Sequence, residues 1–320
     1  MDVTEWLLDS DPAIRHQVLR DLVDAPPESV AAERARVARE GWGARLLALQ
    51  DPEGTWDGGA YRPGWVDESR PFFSAWTATH FTVTLLRDYG VDPADPAVRE
   101  AIDRVARNVW WEEQDGGLCY FELALEPCIA GMVLVSSVYF GFDPSRTLEA
   151  LLAQQQPDGG WNCDSGASVS SFHSTICAVE GLLAWESTVD ADDARRPAVR
   201  EARIRGEEYL LERRLLRRLS TGGMVDLRFS MTTFPTRWHY DVLRALDHFR
   251  LARPEGDERV REAIELVRGK ADAEGRFPLE NDLEGPIWFV MDGEVEGRPS
   301  RWITLRALRV LRWWDGLTPR

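Results

Sequence analysis

The sequence predicts an all-α protein built of helical hairpins, and three observations predict it. A two-part unit recurs along the 320 residues: a turn rich in glycine and aromatic residues, an apolar helix of about 15 residues, then a charged amphipathic helix. No run sustains the period-2 alternation of a half-buried strand. The composition, 44% hydrophobic and 29% charged, is that of an ordinary globular chain and disfavours both disorder and a membrane bundle.

Taken in order, Trp6 to Leu22 reads as a helix within an N-terminal extension of residues 1–40, which packs on a main domain spanning 41–320. The first turn, Gly54-Thr55-Trp56-Asp57-Gly58-Gly59, precedes an apolar helix from Phe73 to Asp88. Asp95 then offers an N-cap with Pro96 in the first turn of a charged helix. The second turn, Asp115-Gly116-Gly117-Leu118, leads to the apolar helix Cys128 to Phe140, and the third, Asp158-Gly159-Gly160-Trp161, to Phe172 through Glu186. The Pro-Ala-Val-Arg-Glu start of the charged helix at 96–100 returns at 197–201. The fourth turn, Thr221-Gly222-Gly223-Met224, introduces Trp238 to Phe249; the fifth, Glu274-Gly275-Arg276-Phe277, introduces Trp302 to Trp314. The first glycines of the five turns are 62, 43, 63 and 53 residues apart, an irregular period. Apolar helices alternating with charged ones imply an inner and an outer layer. Such hairpins either stack as an open solenoid or close into a ring, and periodicity leaves both open.

Charge and cysteine usage narrow the function. With 38 Lys and Arg against 54 Asp and Glu the net charge is −16, which argues against nucleic acid and anionic lipid as partners. The longest apolar stretch, Ile129 to Phe140, falls short of the ~20 residues of a membrane span, and the acidic N-terminus lacks the basic start of a secretory signal. Four cysteines in a chain without that signal read as thiols or metal ligands, and the expected location is cytoplasmic. The 14 tryptophans are the compositional outlier.

The motif Gln50-x-x-x-Gly54-x-Trp56 returns as Gln155-x-x-x-Gly159-x-Trp161. It resembles the repeat of squalene and oxidosqualene cyclases and the related Gly-Gly turns of protein prenyltransferase β subunits, over about Trp42 to Trp314. The resemblance implies an α/α toroid, with the N-terminal ends of the inner helices around the mouth of a central cavity. It also implies one of two chemistries. Cyclases that begin by protonation hold an aspartic acid in a D-x-D-D box at the entry of an inner helix. Here Asp190-Ala191-Asp192-Asp193 follows an inner helix and leads into an outer one, so it reads as a solvated loop and N-cap. Prenyltransferases use zinc on an Asp-x-Cys pair and a later histidine, which Glu126-Pro127-Cys128 and His173 match approximately.

Read from the residues, Cys163 adds a second thiol in the turn that feeds the His173 helix, and Cys128, Cys163 and His173 on one rim make a donor set that zinc favours. Asp164, His239 and Asp241 are the candidate proton-transfer groups. Trp76, Trp238 and Trp302 stand at or near inner-helix starts, where they can wall a cavity or stabilise a carbocation. Arg237 and Arg301 precede two of these tryptophans and can form a cationic lip for a diphosphate or carboxylate. His173, Cys177 and Glu180 form a polar stripe on one face of an apolar helix. The reading is an enzyme of the cyclase and prenyltransferase type acting on a hydrophobic, isoprenoid-type small molecule in a central cavity, with zinc assistance. Its rivals are a metal-free cyclase using Asp226 or Asp241 as acid and a non-catalytic scaffold.

Overall fold

The computed structural model describes residues 2–66, 75–111, 117–123 and 126–317. They form thirteen α-helices, and the paired backbone outside them amounts to isolated bridges at the turns. Two short helices, α1 (Val3–Leu8) and α2 (Pro12–Asp21), open the chain, followed by α3 (Pro27–Arg34) and α4 (Gly41–Leu47). Five hairpin members of the inner layer follow: α5 (Thr79–Asp88), α7 (Pro127–Phe140), α9 (Phe172–Thr188), α11 (Val242–Ala252) and α13 (Arg301–Leu317). Between them stand the outer helices α6 (Pro96–Asn108), α8 (Ser145–Ala153), α10 (Arg196–Glu212) and α12 (Arg261–Arg268).

The inner helices pack in chain order, α5 on α7, α7 on α9, α9 on α11 and α11 on α13. The circle closes because α13 also packs on α2, and α2 reaches the end of α5 through His16 Nε2 to the Tyr89 carbonyl at 3.0 Å and Gln17 to the Asp88 carbonyl at 3.0 Å. Residues 1–40, read from the sequence as an extension, thus contribute α2 to the inner circle. A closed ring, rather than an open solenoid, is the result.

The recurring turn explains its own motif. Gln50 Nε2 donates to the carbonyls of Gly54 (2.9 Å) and Ala101 (2.8 Å), pinning the turn to α6, and Gln155 does the same to Gly159 and Ala202 of α10, both at 2.7 Å. Trp56 and Trp161 are fully buried and donate from Nε1 to Leu46 and Leu151 carbonyls. Their backbone amides donate to Thr79 Oγ1 and Thr175 Oγ1, both at 3.0 Å, which ties each turn to the next inner helix. A degraded third copy keeps the last link, Phe277 amide to Thr304 Oγ1 at 2.9 Å. Glycine is required at 159 because φ is +93° and a Cβ there would stand 2.7 Å from the Arg205 carbonyl oxygen.

Two inner helices start later than the apolar pattern suggests. The described part of the first begins at Thr79, with Phe73 outside the described residues, and the fourth begins at Val242 because Asp241 caps it. Trp76, Trp238 and His239 therefore sit in the segments before their helices. Asp193 lies in the loop before α10, where it accepts from the Arg195 amide and pairs with its guanidinium, as the solvated-loop reading expects. Among the described residues, no helix is long and apolar enough to cross a membrane.

Candidate functional site

Two glycines determine how close the first functional group can come together. A Cβ on Gly131 of α7 would lie 2.2 Å from the Cys177 carbonyl oxygen, and one on Gly181 of α9 would lie 2.8 Å from the Gly131 carbonyl oxygen, so α7 and α9 touch backbone to backbone. Pro127 starts α7 and puts Cys128 in its first turn. The turn after Trp161 carries Cys163 back over the start of α9, where its amide donates to Ser174 Oγ at 3.2 Å and its sulfur lies 3.2 Å from the same oxygen.

The two sulfurs, Cys128 Sγ and Cys163 Sγ, stand 2.7 Å apart as free thiols, and Glu126 Oε2 is 3.9 Å from Cys128 Sγ. Glu126, Cys128 and Cys163 place one ligand atom each within 4.8 Å of one another. Glu126 is exposed and Cys163 half-buried, so the group opens at the rim of the ring. The contact between the two thiols, aided by burial, pushes the Cys128 thiol well up, and the same contact holds Cys163 down.

His173 is near this group in sequence but stands outside it among the described residues. Its Nδ1 accepts the Tyr240 amide at 2.8 Å, so the neutral imidazole carries its proton on Nε2 and presents a donor in place of a metal-binding lone pair. Burial lowers it to about 4. The sequence reading put His173 third in the donor set; the structure puts Glu126 there. His239 lies edge-on to His173 at 5.8 Å between ring centroids and stacks on Trp238 at 3.7 Å; burial lowers it to about 3. Trp76 meets Phe81 edge to face at 4.8 Å and His239 at 6.0 Å. Trp76, Ala78 and Phe81 form an apolar cluster separate from the main core, with Tyr61 and Trp238 packed on it.

The remaining sequence candidates disperse. Asp164 is exposed and accepts the Gly166 amide at 2.9 Å within its own loop. Asp241 is fully committed as an N-cap, accepting Arg244 N at 2.7 Å and Thr233 N at 3.2 Å, and burial raises it. Asp226 is likewise a local cap, on the Arg228 amide. Arg301 lies over the Trp6 ring and donates to the Trp6 carbonyl, so it forms no common lip with Arg237. Trp302 is stacked on Phe234 at 4.3 Å and, like Arg237, lines the central cavity of the ring.

The second feature is a central cavity of about 730 Å³. The lining comes from the middle or C-terminal half of α2, α5, α7 and α9 but from the N-terminal half of α13 and the segment before α11, so the cavity runs along the ring and is not confined to the N-terminal mouth that the resemblance implied. The lining is also more polar than a hydrocarbon pocket. Glu180, the last member of the α9 stripe, faces it and pairs with Arg244 at 2.6 Å, while Arg244 also donates to Cys177 Sγ at 3.4 Å. The sequence reading missed these arginines. Their signal was Arg87, Arg244 and Arg306 interrupting otherwise apolar inner helices.

No family model matches the chain, and no curated protein does. Solved structures do. A glycosyl hydrolase family 88 protein from Bacteroides vulgatus superposes with a TM-score of 0.51 at 13% identity, covering 95% of this chain and 91% of its own. A polysaccharide lyase superposes with a TM-score of 0.50 at 12% identity, over 97% of this chain and 92% of its own. The fold is an α/α toroid. A protein from Actinoplanes gives a TM-score of 0.44 at 17% identity, over 96% and 90% of the two chains. At these identities the likeness is one of toroid fold alone.

Proposed function

We propose that this toroid is a metal-assisted enzyme, in which Glu126, Cys128 and Cys163 hold one zinc ion beside an aromatic wall that takes a hydrophobic, isoprenoid-type substrate. The observation that carries the reading is the convergence of two thiols and a carboxylate within 4.8 Å at an open rim. Two sulfurs and an oxygen suit zinc, and three protein ligands leave a fourth position for a substrate atom. When bound, zinc supplies Lewis acidity and stabilises a thiolate or hydroxide in that position. The chain's own residues supply the rest. Tyr61 and Trp238, both half-buried, offer aromatic surface to an apolar chain and to developing positive charge, with Trp76 and Phe81 packed behind them. His173 presents Nε2–H to a substrate oxygen, and His239 beside it stays neutral near pH 7, where burial keeps it a hydrogen-bonding group and a weak base. Asp164 stays near the rim as a solvent-exposed relay, whereas Asp241 cannot move a proton without uncapping α11.

A sugar ring would stack on the same aromatic faces. The solved neighbours are titled as a glycosyl hydrolase and a polysaccharide lyase, which makes a carbohydrate the second reading for the substrate.

Elemental mass spectrometry of the purified protein tests the metal. About one zinc per chain is expected, lost in Cys128→Ser and Cys163→Ser and weakened in Glu126→Gln, with His173→Ala retaining it. The cobalt-loaded protein is expected to change its visible spectrum when a small thiol or imidazole is added, because a position is open. A metal-free protein with a Cys128–Cys163 disulfide, or a cobalt spectrum indifferent to added ligands, would overturn the enzymatic reading and leave a structural role.

A further inference from the structure

The metal-centred reading makes no use of the central cavity, where the charge of the molecule is reversed. Seven arginines and three carboxylates line it, in a chain of net charge −16. Part of this excess is neutralised within the wall. Arg87 pairs with Asp88 and Arg244 with Glu180, while Arg306 and Arg309 share Asp247. Arg20 and Arg309 also meet Asp21 just behind the wall. Arg34 has no carboxylate within ion-pairing distance among the described residues, but it serves the fold by donating to the carbonyls of Gly90 (2.9 Å) and Val91 (3.2 Å), beyond the end of α5. Cations at such helix ends are favourable without any ligand.

Arg237 cannot be explained that way. It is only 7% exposed, yet its guanidinium has neither an ion pair nor a hydrogen bond to any described residue. Its neighbours are the faces of Trp76 and Phe81, at 5.4 and 6.0 Å. Opposite charges reach it only at a distance, from Asp88 and Asp282, and burial pulls it down to about 10. The backbone is left-handed, with φ +53°, a conformation that a side chain this large adopts rarely. Arg237 stands between the central cavity and a recess of about 60 Å³ under residues 279–294, and lines both. With no acceptor from the described residues, the five donors of this enclosed guanidinium are left to whatever fills the cavity. A ligand in the cavity would supply the missing acceptors.

We propose that the central cavity binds a small organic anion whose carboxylate or phosphate group is held by the Arg237 fork. Planar, two-pronged recognition of an oxyanion is what a guanidinium does best. Thr84, Thr236 and Gln17 line the same space and add hydrogen-bonding groups for the rest of the ligand. This site is separate from the Glu126–Cys128–Cys163 group and does not depend on zinc.

Isothermal titration of the full chain with inorganic pyrophosphate and with citrate tests the proposal. One molecule of at least one of them is expected to bind per chain, more weakly as salt is raised, and the preferred probe distinguishes phosphate from carboxylate. Arg237→Met is expected to weaken binding about tenfold or more, and Arg237→Lys, which keeps the charge but loses the fork, to weaken it with an unchanged circular dichroism spectrum. Arg99→Gln, on the exposed face of α6, is expected to bind as the parent does, and chelator-treated protein likewise. Folded parent protein that binds neither probe would overturn the proposal, as would affinity undiminished in both Arg237 variants.

Discussion

At the residue scale, the repeated turn concentrates a large share of the fold's specificity in a few side chains. Gln155 satisfies two carbonyls from opposite sides of a half-buried seam, so Gln155→Ala is expected to cost about 1–3 kcal/mol by leaving both short of a donor. Gly159→Ala is expected to cost about 2–4 kcal/mol, since the new Cβ must push Arg205 of α10 away while the backbone stays left-handed. Urea midpoints of the two variants check both figures, and a loss below 0.5 kcal/mol in Gly159→Ala would mean that α10 gives way freely. These residues were legible in the sequence because they recur as Gln-x-x-x-Gly-x-Trp. The thiol pair was legible too, as Cys128 and Cys163 each occupy a turn-to-helix junction. Glu126 was harder to place: a carboxylate two residues before a cysteine reads equally as a helix cap, and only the fold decides that it faces Cys163.

At the scale of elements, the contact of α7 with α9 holds the candidate centre together. The inner helices were visible as apolar stretches, but their starts at 238 and 73 were misread because tryptophan, histidine and tyrosine are as apolar in a loop as in a helix. The cap at Asp241, not the apolar pattern, begins α11. Gly131 was legible as a glycine inside a helix without showing what approached it. Gly131→Ala is expected to separate α7 from α9 and destabilise the protein by about 1–3 kcal/mol. Because it also moves Cys128 away from Cys163, it should lower zinc content, whereas Gly141→Ala at the other end of α7, with open space around it, should keep zinc. Thermal unfolding together with metal analysis separates the two effects.

At the scale of the whole molecule, the ring turns an acidic exterior around an arginine-rich interior. Net charge alone, read from the sequence, argued against nucleic acid and anionic lipid as partners; it could not show that seven arginines converge on one cavity, because they come from segments distant along the chain. Buried histidines also link the whole fold to pH. Burial lowers His16 to about 4 and His80 to about 3, from an ordinary value of 6.5. Both are neutral in the folded ring, while the unfolded chain takes up their protons near pH 6.5, so stability is full above that pH and declines as pH falls toward 4. The expected loss is on the order of 3 kcal/mol from His16 over that interval. His16→Gln should flatten the pH dependence of the urea midpoint below pH 6.5; an unchanged slope would assign the dependence to other groups. X-ray absorption at the zinc edge of the purified chain most directly tests the central claim that Glu126, Cys128 and Cys163 converge to hold a metal at the open rim. Two sulfur ligands at about 2.3 Å with the remaining ligands oxygen or nitrogen, reduced to one sulfur in Cys163→Ser, is the expected result; a shell without sulfur, or no bound zinc in protein purified under reducing conditions, would contradict it.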